Sequence, residues 1–290
     1  MVKYSVNFCG GFGMSFWNAV LLGLIQGITE FLPISSSGHL SILNNLFGLS
    51  TAENGHMFFD VLLHLGTLVS IAVVYWKDIV DMFFEVLGFV GIGRSAGERK
   101  VRYPAARLFL MIVLSTLPLV LILPIKDELE ALYYNSIFIG VALILTGCML
   151  YVADKMIQGK KTETSMTVWD ALIIGLCQCA ATIPGLSRSG TTITAGLATG
   201  LKRDFAVKFA FLMSIPAVLG ANILSLGDAV RDGVDWSLLP AYLAGMLAAA
   251  ATGILAIRLL KIVARKGRFG GFAYYCWVMG VLAIILTMIF

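Results

Sequence analysis

Gln26-Gly-Ile-Thr-Glu-Phe-Leu-Pro-Ile-Ser-Ser-Ser-Gly-His39 sets an acid, three serines and an imidazole inside an otherwise apolar run. Such groups are expensive to keep in hydrocarbon, so an ionisable residue within a hydrophobic segment is a functional-site hypothesis by default. Glu30 is the first of these. Pro33 and Gly38 break the helix and free backbone groups that lipid cannot satisfy; a break of this kind survives only where it faces protein or a water-filled cavity. Phe16 to Phe31 is apolar apart from Asn18, Gln26, Thr29 and Glu30. As helix it reaches about 24 Å, short of a hydrocarbon core of roughly 30 Å. With a second run from Leu40 to Leu49, the stretch predicts a re-entrant helical hairpin, followed by a polar loop from Thr51 to His56.

The 290-residue chain is 59% hydrophobic and 13% charged, against about a quarter charged for soluble domains. This predicts an all-α polytopic membrane protein. Full-length spans are expected at Met57 to Trp76, Leu108 to Ile125, Ser136 to Ala153, Phe205 to Leu226, Leu238 to Leu260 and Gly271 to Phe290, each close to the roughly 20 residues a crossing needs. Ile79 to Gly93, shortened by Asp81, Glu85 and its glycines, is expected to be an interfacial helix. Trp17, Trp76, Trp169 and Trp236 sit at segment ends, where indole favours the headgroup level. Met1 to Met14 has no apolar core followed by a small-residue cleavage site and reads as a short extension, not a signal peptide. The five cysteines lack metal-site spacing and read as small hydrophobes. A net charge of +4 gives no basic face for nucleic acid.

The cations matter by position. Arg94, Arg99, Lys100, Arg102 and Arg107 form one cluster, Lys155, Lys160 and Lys161 a second, Lys202, Arg203 and Lys208 a third, and Arg258, Lys261, Arg265, Lys266 and Arg268 a fourth. The loops around Lys126 to Glu130 and Asp228 to Asp235 are acidic on balance. Six crossings place every basic cluster on one face and both acidic loops on the other. The positive-inside rule makes the basic face cytoplasmic, so the hairpin at Glu30 opens from the outer face.

Trp17 onward laid over Trp169 onward without a gap pairs Trp17 with Trp169, Ala19 with Ala171, Gly23 with Gly175, Leu24 with Leu176 and Gln26 with Gln178. It continues through Ser35 with Ser187, Ser37 with Ser189, Gly38 with Gly190, Gly48 with Gly200 and Leu49 with Leu201. The matches include the break itself, which favours a true repeat. Three crossings separate the copies, and an odd number inverts them. The expectation is one membrane domain with an inverted-topology repeat, about 15–154 and 168–290, of six full transmembrane helices plus two re-entrant helical hairpins. Entering from opposite faces, the hairpins should meet near the midplane.

At both tips a serine-rich turn opens a half-helix: Ser35-Ser36-Ser37-Gly38 and Ser187-Arg188-Ser189-Gly190. Serine caps helix starts, and the free N–H groups there form an anion site. Two facing starts suit a phosphate or diphosphate, with Ser35, Ser37, Ser187, Ser189 and Thr191 as caps or ligands. Arg188 strengthens this, since a guanidinium in apolar surroundings needs an anionic partner and its fork fits phosphate oxygens. Its other reading is a structural ion pair with Glu30, and the two roles are able to alternate. Three roles stand open to Glu30: ligand of Mg²⁺ or Ca²⁺ jointly with substrate oxygens, general base, or a neutral hydrogen-bonded acid. His39 reads as nucleophile, as acid or base serving Ser36, or as a hydrogen-bonded core histidine. His64, inside the next span, has weaker support.

At these residues the chain resembles the undecaprenyl-diphosphate phosphatase family, also called bacitracin resistance proteins. The resemblance rests on the stretch from Gln26 to His39, on Pro184-Gly-Leu-Ser-Arg-Ser-Gly-Thr191 and on Phe59-Asp-Val-Leu-Leu-His-Leu-Gly66, and extends over nearly the whole chain after Met14. It implies an inner-membrane, multi-pass enzyme that removes the terminal phosphate of a C55 polyprenyl diphosphate, regenerating the monophosphate carrier of cell-wall synthesis. It also implies dependence on a divalent cation, Mg or Ca, and an active site reached from the outer face. Carried over, the family's second signature glutamate is Glu30, its serine Ser36, its histidine His39 and its arginine Arg188. Where some members have a first glutamate, this chain has Gln26, which leaves it an orienting donor. The implied partners are the polyprenyl diphosphate and membrane lipid, with a homodimer left open and no nucleic acid.

The expected mechanism holds the diphosphate between the tips on Arg188, the helix starts and a cation on Glu30. Ser36 attacks the terminal phosphorus with His39 as its base, or His39 attacks directly. The rival class is a lipid or anion transporter or flippase without hydrolysis, since inverted repeats with broken helices serve alternating access.

Overall fold

The computed structural model describes residues 15–47, 57–89 and 104–289. The N-terminal extension, the loop from Thr51 to His56, Gly48, Leu49 and the cations Arg94, Arg99, Lys100 and Arg102 lie outside the described residues. In chain order the helices are α1 (Phe16–Phe31), α2 (Ser36–Phe47), α3 (Met57–Val74), α4 (Trp76–Phe89), α5 (Pro104–Thr116), α6 (Lys126–Ala131), α7 (Ser136–Lys155), α8 (Val168–Ala180), α9 (Arg188–Ala198), α10 (Arg203–Asp232), α11 (Leu239–Lys266) and α12 (Gly270–Ile289). Among the described residues there is no strand, only an isolated bridge between Lys161 and Leu201.

Among the described residues six segments are long and apolar enough to cross a membrane: Met57–Val74, Pro104–Leu129, Ser136–Lys155, Arg203–Gly227, Trp236–Lys266 and Gly270–Ile289. They coincide with the six expected spans. One is not a continuous α-helix. Leu117–Ile125, containing Pro118 and Pro124, winds as a 3₁₀ helix between α5 and α6; proline removes ladder donors, which favours the tighter coil. Trp17, Trp76, Trp169 and Trp236 are all largely exposed.

Local chemistry sets the broken elements. Ser15 caps α1, its hydroxyl accepting from Asn18 N at 3.1 Å. α1 stops because Pro33 drives Leu32 out of the helical region, to φ −68° and ψ 141°. α8 begins with a capping box in which Thr167 and Asp170 each bond the other's backbone N–H. Burial alone would raise the Asp170 carboxyl, yet bonds from Lys161 Nζ, at 2.8 and 2.9 Å, and from Thr167 hold it below the ordinary carboxylate range.

Small residues let these helices pack closely, as membrane interfaces require. α1 lies along α11: a Cβ on Gly23 would strike the Gly245 carbonyl, and one on Gly253, midway along α11, would meet Phe31 at the end of α1. α8 meets α5 in the same manner, Gly175 against the Ser115 carbonyl. α2 turns back along the first half of α7, where Ile42 packs with Ile139 and Leu143. The two ends of the α8–α9 pair come together at Lys161: its side chain bonds Asp170, while its backbone accepts from Lys202 N and donates to Gly200 O. Replacing Gly23 with alanine should cost about 1–3 kcal/mol by overpacking. Gly220→Ala, with nothing within 4 Å of the new methyl, is the control; equal thermal midpoints in detergent would contradict this packing.

Described members of the basic clusters converge. Arg107 donates to Met166 O, Arg203 to Met156 O, Arg265 to Asp204 and Lys208 to both Asp78 and Glu163. These contacts gather the start of α5, the end of α7, the α8 and α10 starts and the end of α11 at one end of the bundle.

Candidate active site

The two tips meet. Gly185 N lies 3.5 Å from Ser37 Oγ, Ser189 Oγ is 3.4 Å from Leu32 O, and Arg188 forms an ion pair with Glu30. Thr146, in the middle of α7, receives Ser187 N at 3.1 Å and donates to Gly185 O at 3.2 Å, fixing the second tip. In the first tip Ser35 takes the left-handed conformation with φ +70°, a strain of about 1–3 kcal/mol for a side chain other than glycine. Its surroundings over-determine it. Ser35 Oγ accepts from Gly38 N at 3.1 Å, and its carbonyl accepts from His39 N at 3.2 Å and His39 Nδ1 at 2.7 Å.

A cavity of about 290 Å³ opens between the tips. From the expected set it takes Glu30, Ser35, Ser36, Ser37, Ser187 and Arg188 as lining. Glu30 is the hub. Its side chain is only 6% exposed, and its two oxygens divide the work: Oε1 pairs with Arg188 Nη2, while Oε2 accepts from Ser36 Oγ at 2.6 Å and Gln26 Nε2 at 3.2 Å. A buried carboxylate is tolerable only with such partners. Gln26, the donor at 3.2 Å, is itself wholly buried.

The remaining expected residues stand behind the cavity wall. Ser189 Oγ contacts Ser187 Oγ at 3.2 Å, and the Thr191 hydroxyl is buried with no partner among the described residues. His39 is buried and turned away from Ser36. Its Nδ1 must carry the hydrogen, since the Ser35 carbonyl can only accept; in the neutral ring Nε2 then accepts from the Tyr275 hydroxyl at 2.7 Å. The two rings stack at 5.6 Å, and the neighbouring Cys276 Sγ reaches Pro33 O at 3.7 Å. α12 therefore clamps the turn that presents Ser36.

Several lining residues were not singled out from the sequence. Asp60 joins His64 from α3, Asn222 and Ser225 come from α10, and Thr182 from the second tip. Asp60 and His64 were legible in principle, being two ionisable groups at helical i, i+4 spacing inside a span. Asn222 and Ser225 carry no such mark.

A divalent cation is a fair fit to one wall of this cavity. Among the described residues no three His, Cys, Asp or Glu side chains gather as a protein cage. A single carboxylate that shares its ion with phosphate oxygens and water is the usual arrangement for Mg²⁺ at phosphate sites, and Glu30 supplies one.

A family model described as Bacitracin resistance protein BacA matches residues 19–282. The chain is similar to the undecaprenyl-diphosphatase of Methanosphaera stadtmanae, with 38% identity over 277 residues covering 94% of this chain and 98% of the relative. It is 39% identical over 278 residues to the undecaprenyl-diphosphatase of Alkaliphilus metalliredigens, covering 95% of this chain and 100% of the relative. A third such relative, from Thermodesulfovibrio yellowstonii, is 40% identical over 273 residues, covering 93% and 96%. Because the family match runs through both helix breaks and into all six spans, this chain belongs to the BacA family of bacitracin resistance proteins.

Proposed function

We propose that this chain hydrolyses undecaprenyl (C55 polyprenyl) diphosphate to the monophosphate carrier lipid and inorganic phosphate, recycling the carrier for cell-wall synthesis and conferring bacitracin resistance. The observation that carries this reading is the Ser36–Glu30–Arg188 cluster, assembled from two tips around one cavity. Ser36 already donates its proton to Glu30 at 2.6 Å, so the hydroxyl is poised as nucleophile with Glu30 as base. Its Oγ attacks the terminal phosphorus, the bond from that phosphorus to the bridging oxygen breaks, and the polyprenyl monophosphate leaves. Water then cleaves the phosphoserine to release phosphate.

Arg188 uses Nη2 on Glu30, and its other N–H donors, facing the cavity, suit phosphate oxygens. The starts of α2 and α9 add free N–H groups at the same place. Charge on the transferred group is thereby met by fixed donors in a site shielded from bulk water, where such stabilisation is worth most. A cation held by Glu30 would neutralise further phosphate charge when bound. With both ring nitrogens committed, His39 acts as a positioning residue, holding the Ser35 turn.

We read the architecture as an inverted-topology repeat, about 15–154 and 168–290, with α1–α2 and α8–α9 as re-entrant hairpins. Support comes from α1 ending beside the middle of α11, from α2 returning along the start of α7, and from Lys161 joining both ends of α8–α9. The close approaches of Gly23 to Gly245 and of Gly175 to Ser115, at the paired positions 23 and 175, add to it. We place the protein in the inner membrane with its basic end cytoplasmic. The cavity, lined by Asp60 at the start of α3, by Tyr133 and by Ser225 late in α10, lies toward the acidic-loop end, which supports access from the outer face. The lipid tail stays among the helices in the bilayer.

The test is phosphate release from C55 diphosphate by the purified protein in detergent. The expected result is release with Mg²⁺ or Ca²⁺ that chelator removes. Folded protein that binds the lipid but releases no phosphate in any condition would overturn hydrolysis and favour the flippase, which the repeat architecture also suits.

A further inference from the structure

α3 brings two ionisable groups, Asp60 and His64, to the cavity that holds Ser36 and Arg188. His64 Nδ1 lies 3.0 Å from the Asp60 backbone carbonyl and 3.6 Å from its carboxylate Oδ2. Both neighbours only accept, so Nδ1 carries the hydrogen and the basic lone pair falls on Nε2. Nε2 has no hydrogen-bond partner among the described residues. A cavity-lining histidine whose Nδ1 is held by a main-chain carbonyl, with a carboxylate 3.6 Å away and the Nε2 lone pair uncommitted, is suited to act as a general base.

The first transfer does not use this group, because Ser36 has its acceptor in Glu30. The second step needs it. Once Ser36 carries the phosphoryl group, Glu30 holds the proton taken from the hydroxyl, and that proton must return to Oγ when the serine leaves. Glu30 lies against Oγ, the leaving oxygen, whereas the attacking water approaches in line from the opposite side of the phosphorus. His39 is not free: its Nδ1 is bonded to the Ser35 carbonyl and its Nε2 to the Tyr275 hydroxyl.

We propose that His64, oriented by Asp60, is the general base that activates water for hydrolysis of the phosphoserine at Ser36; this rests on the diphosphatase reading above. The water oxygen bonds to phosphorus as the bond from phosphorus to Ser36 Oγ breaks. One water proton passes to His64 Nε2, Glu30 returns its proton to Oγ, and inorganic phosphate departs. His64 then gives its proton to solvent.

Full-length protein in detergent with Mg²⁺ and C55 diphosphate labelled in the terminal phosphate tests this. Wild type should release monophosphate lipid and phosphate together. His64→Gln should release about one lipid monophosphate per enzyme in a burst, accumulate labelled protein, and release phosphate about 100-fold more slowly or worse. Ser36→Ala should remove the burst. His64→Ala should behave as His64→Gln, with added imidazole restoring phosphate release. Phosphate release at the wild-type rate from either His64 variant would overturn the assignment. So would loss of both products together, with neither labelled protein nor rescue by imidazole. A wild type that releases neither product would overturn the diphosphatase reading and this assignment with it, and is told apart by its own silence.

Discussion

Glu30→Gln should lower phosphate release by about 10³-fold or more, because it removes a general base of the kind worth roughly 10²–10⁴-fold alone together with the carboxylate that would share a cation. Glutamine keeps the shape of the side chain but not its charge. Ser36 loses the acceptor now 2.6 Å away, and Arg188 loses the anion it rests on. Steady-state release measured beside the wild type checks the size of the fall. A variant retaining more than about a tenth of wild-type turnover would show that Ser36 is activated elsewhere. Removing one member of a buried pair commonly costs about 3–5 kcal/mol, but Arg188 is 29% exposed and facing the cavity, so water screens the loss. The stability cost of Glu30→Gln should accordingly fall below that range.

Arg188→Lys should be nearly as inactive as Arg188→Ala, each down by about 10²–10³-fold, the range found on removing one donor that stabilises transition-state charge. Lysine preserves charge but not the planar fork, and it is the fork that lets one side chain bond Glu30 and still present donors to phosphate oxygens. Removing Arg188 entirely strands Glu30, whose side chain is 6% exposed, so Arg188→Ala should unfold at a lower temperature than Glu30→Gln. The double variant should be less destabilised than the two single costs added, since the pair is one interaction counted twice. Activity near wild type in Arg188→Lys would mean that only a point charge is needed.

Much of this was legible because membrane burial leaves few choices. α1 ends at Phe31, where the sequence places its break, because Pro33 acts on the residue before it whatever lies around it. The six spans follow from length and hydropathy, and the meeting of Glu30 with Arg188 follows from the cost of leaving either alone in hydrocarbon. What escaped depends on distant partners. Ser36 and His39 sit one turn apart on α2, a spacing that suggests a hydroxyl–imidazole pair. The left-handed Ser35 and the hydroxyl of Tyr275, far away in sequence, draw the ring off instead. Tyr275 lies in a span where one more tyrosine carries no signal. Asn222 and Ser225 reach the cavity only because α10 packs beside α3, a relation that no local pattern records. The 3₁₀ stretch at Leu117–Ile125 had its cause in plain view, in two prolines, but a hydropathy window reads it as continuous helix.

Whether Ser36 is the nucleophile activated by Glu30 is tested most directly by quenching a single turnover of terminally labelled C55 diphosphate and mapping the labelled peptide. His64→Gln makes the intermediate last. The expected label is an acid-stable phosphoserine on the peptide containing Ser36, absent from Ser36→Ala and from Glu30→Gln. An acid-labile, base-stable label that follows His39 would contradict it and make the imidazole the group that attacks.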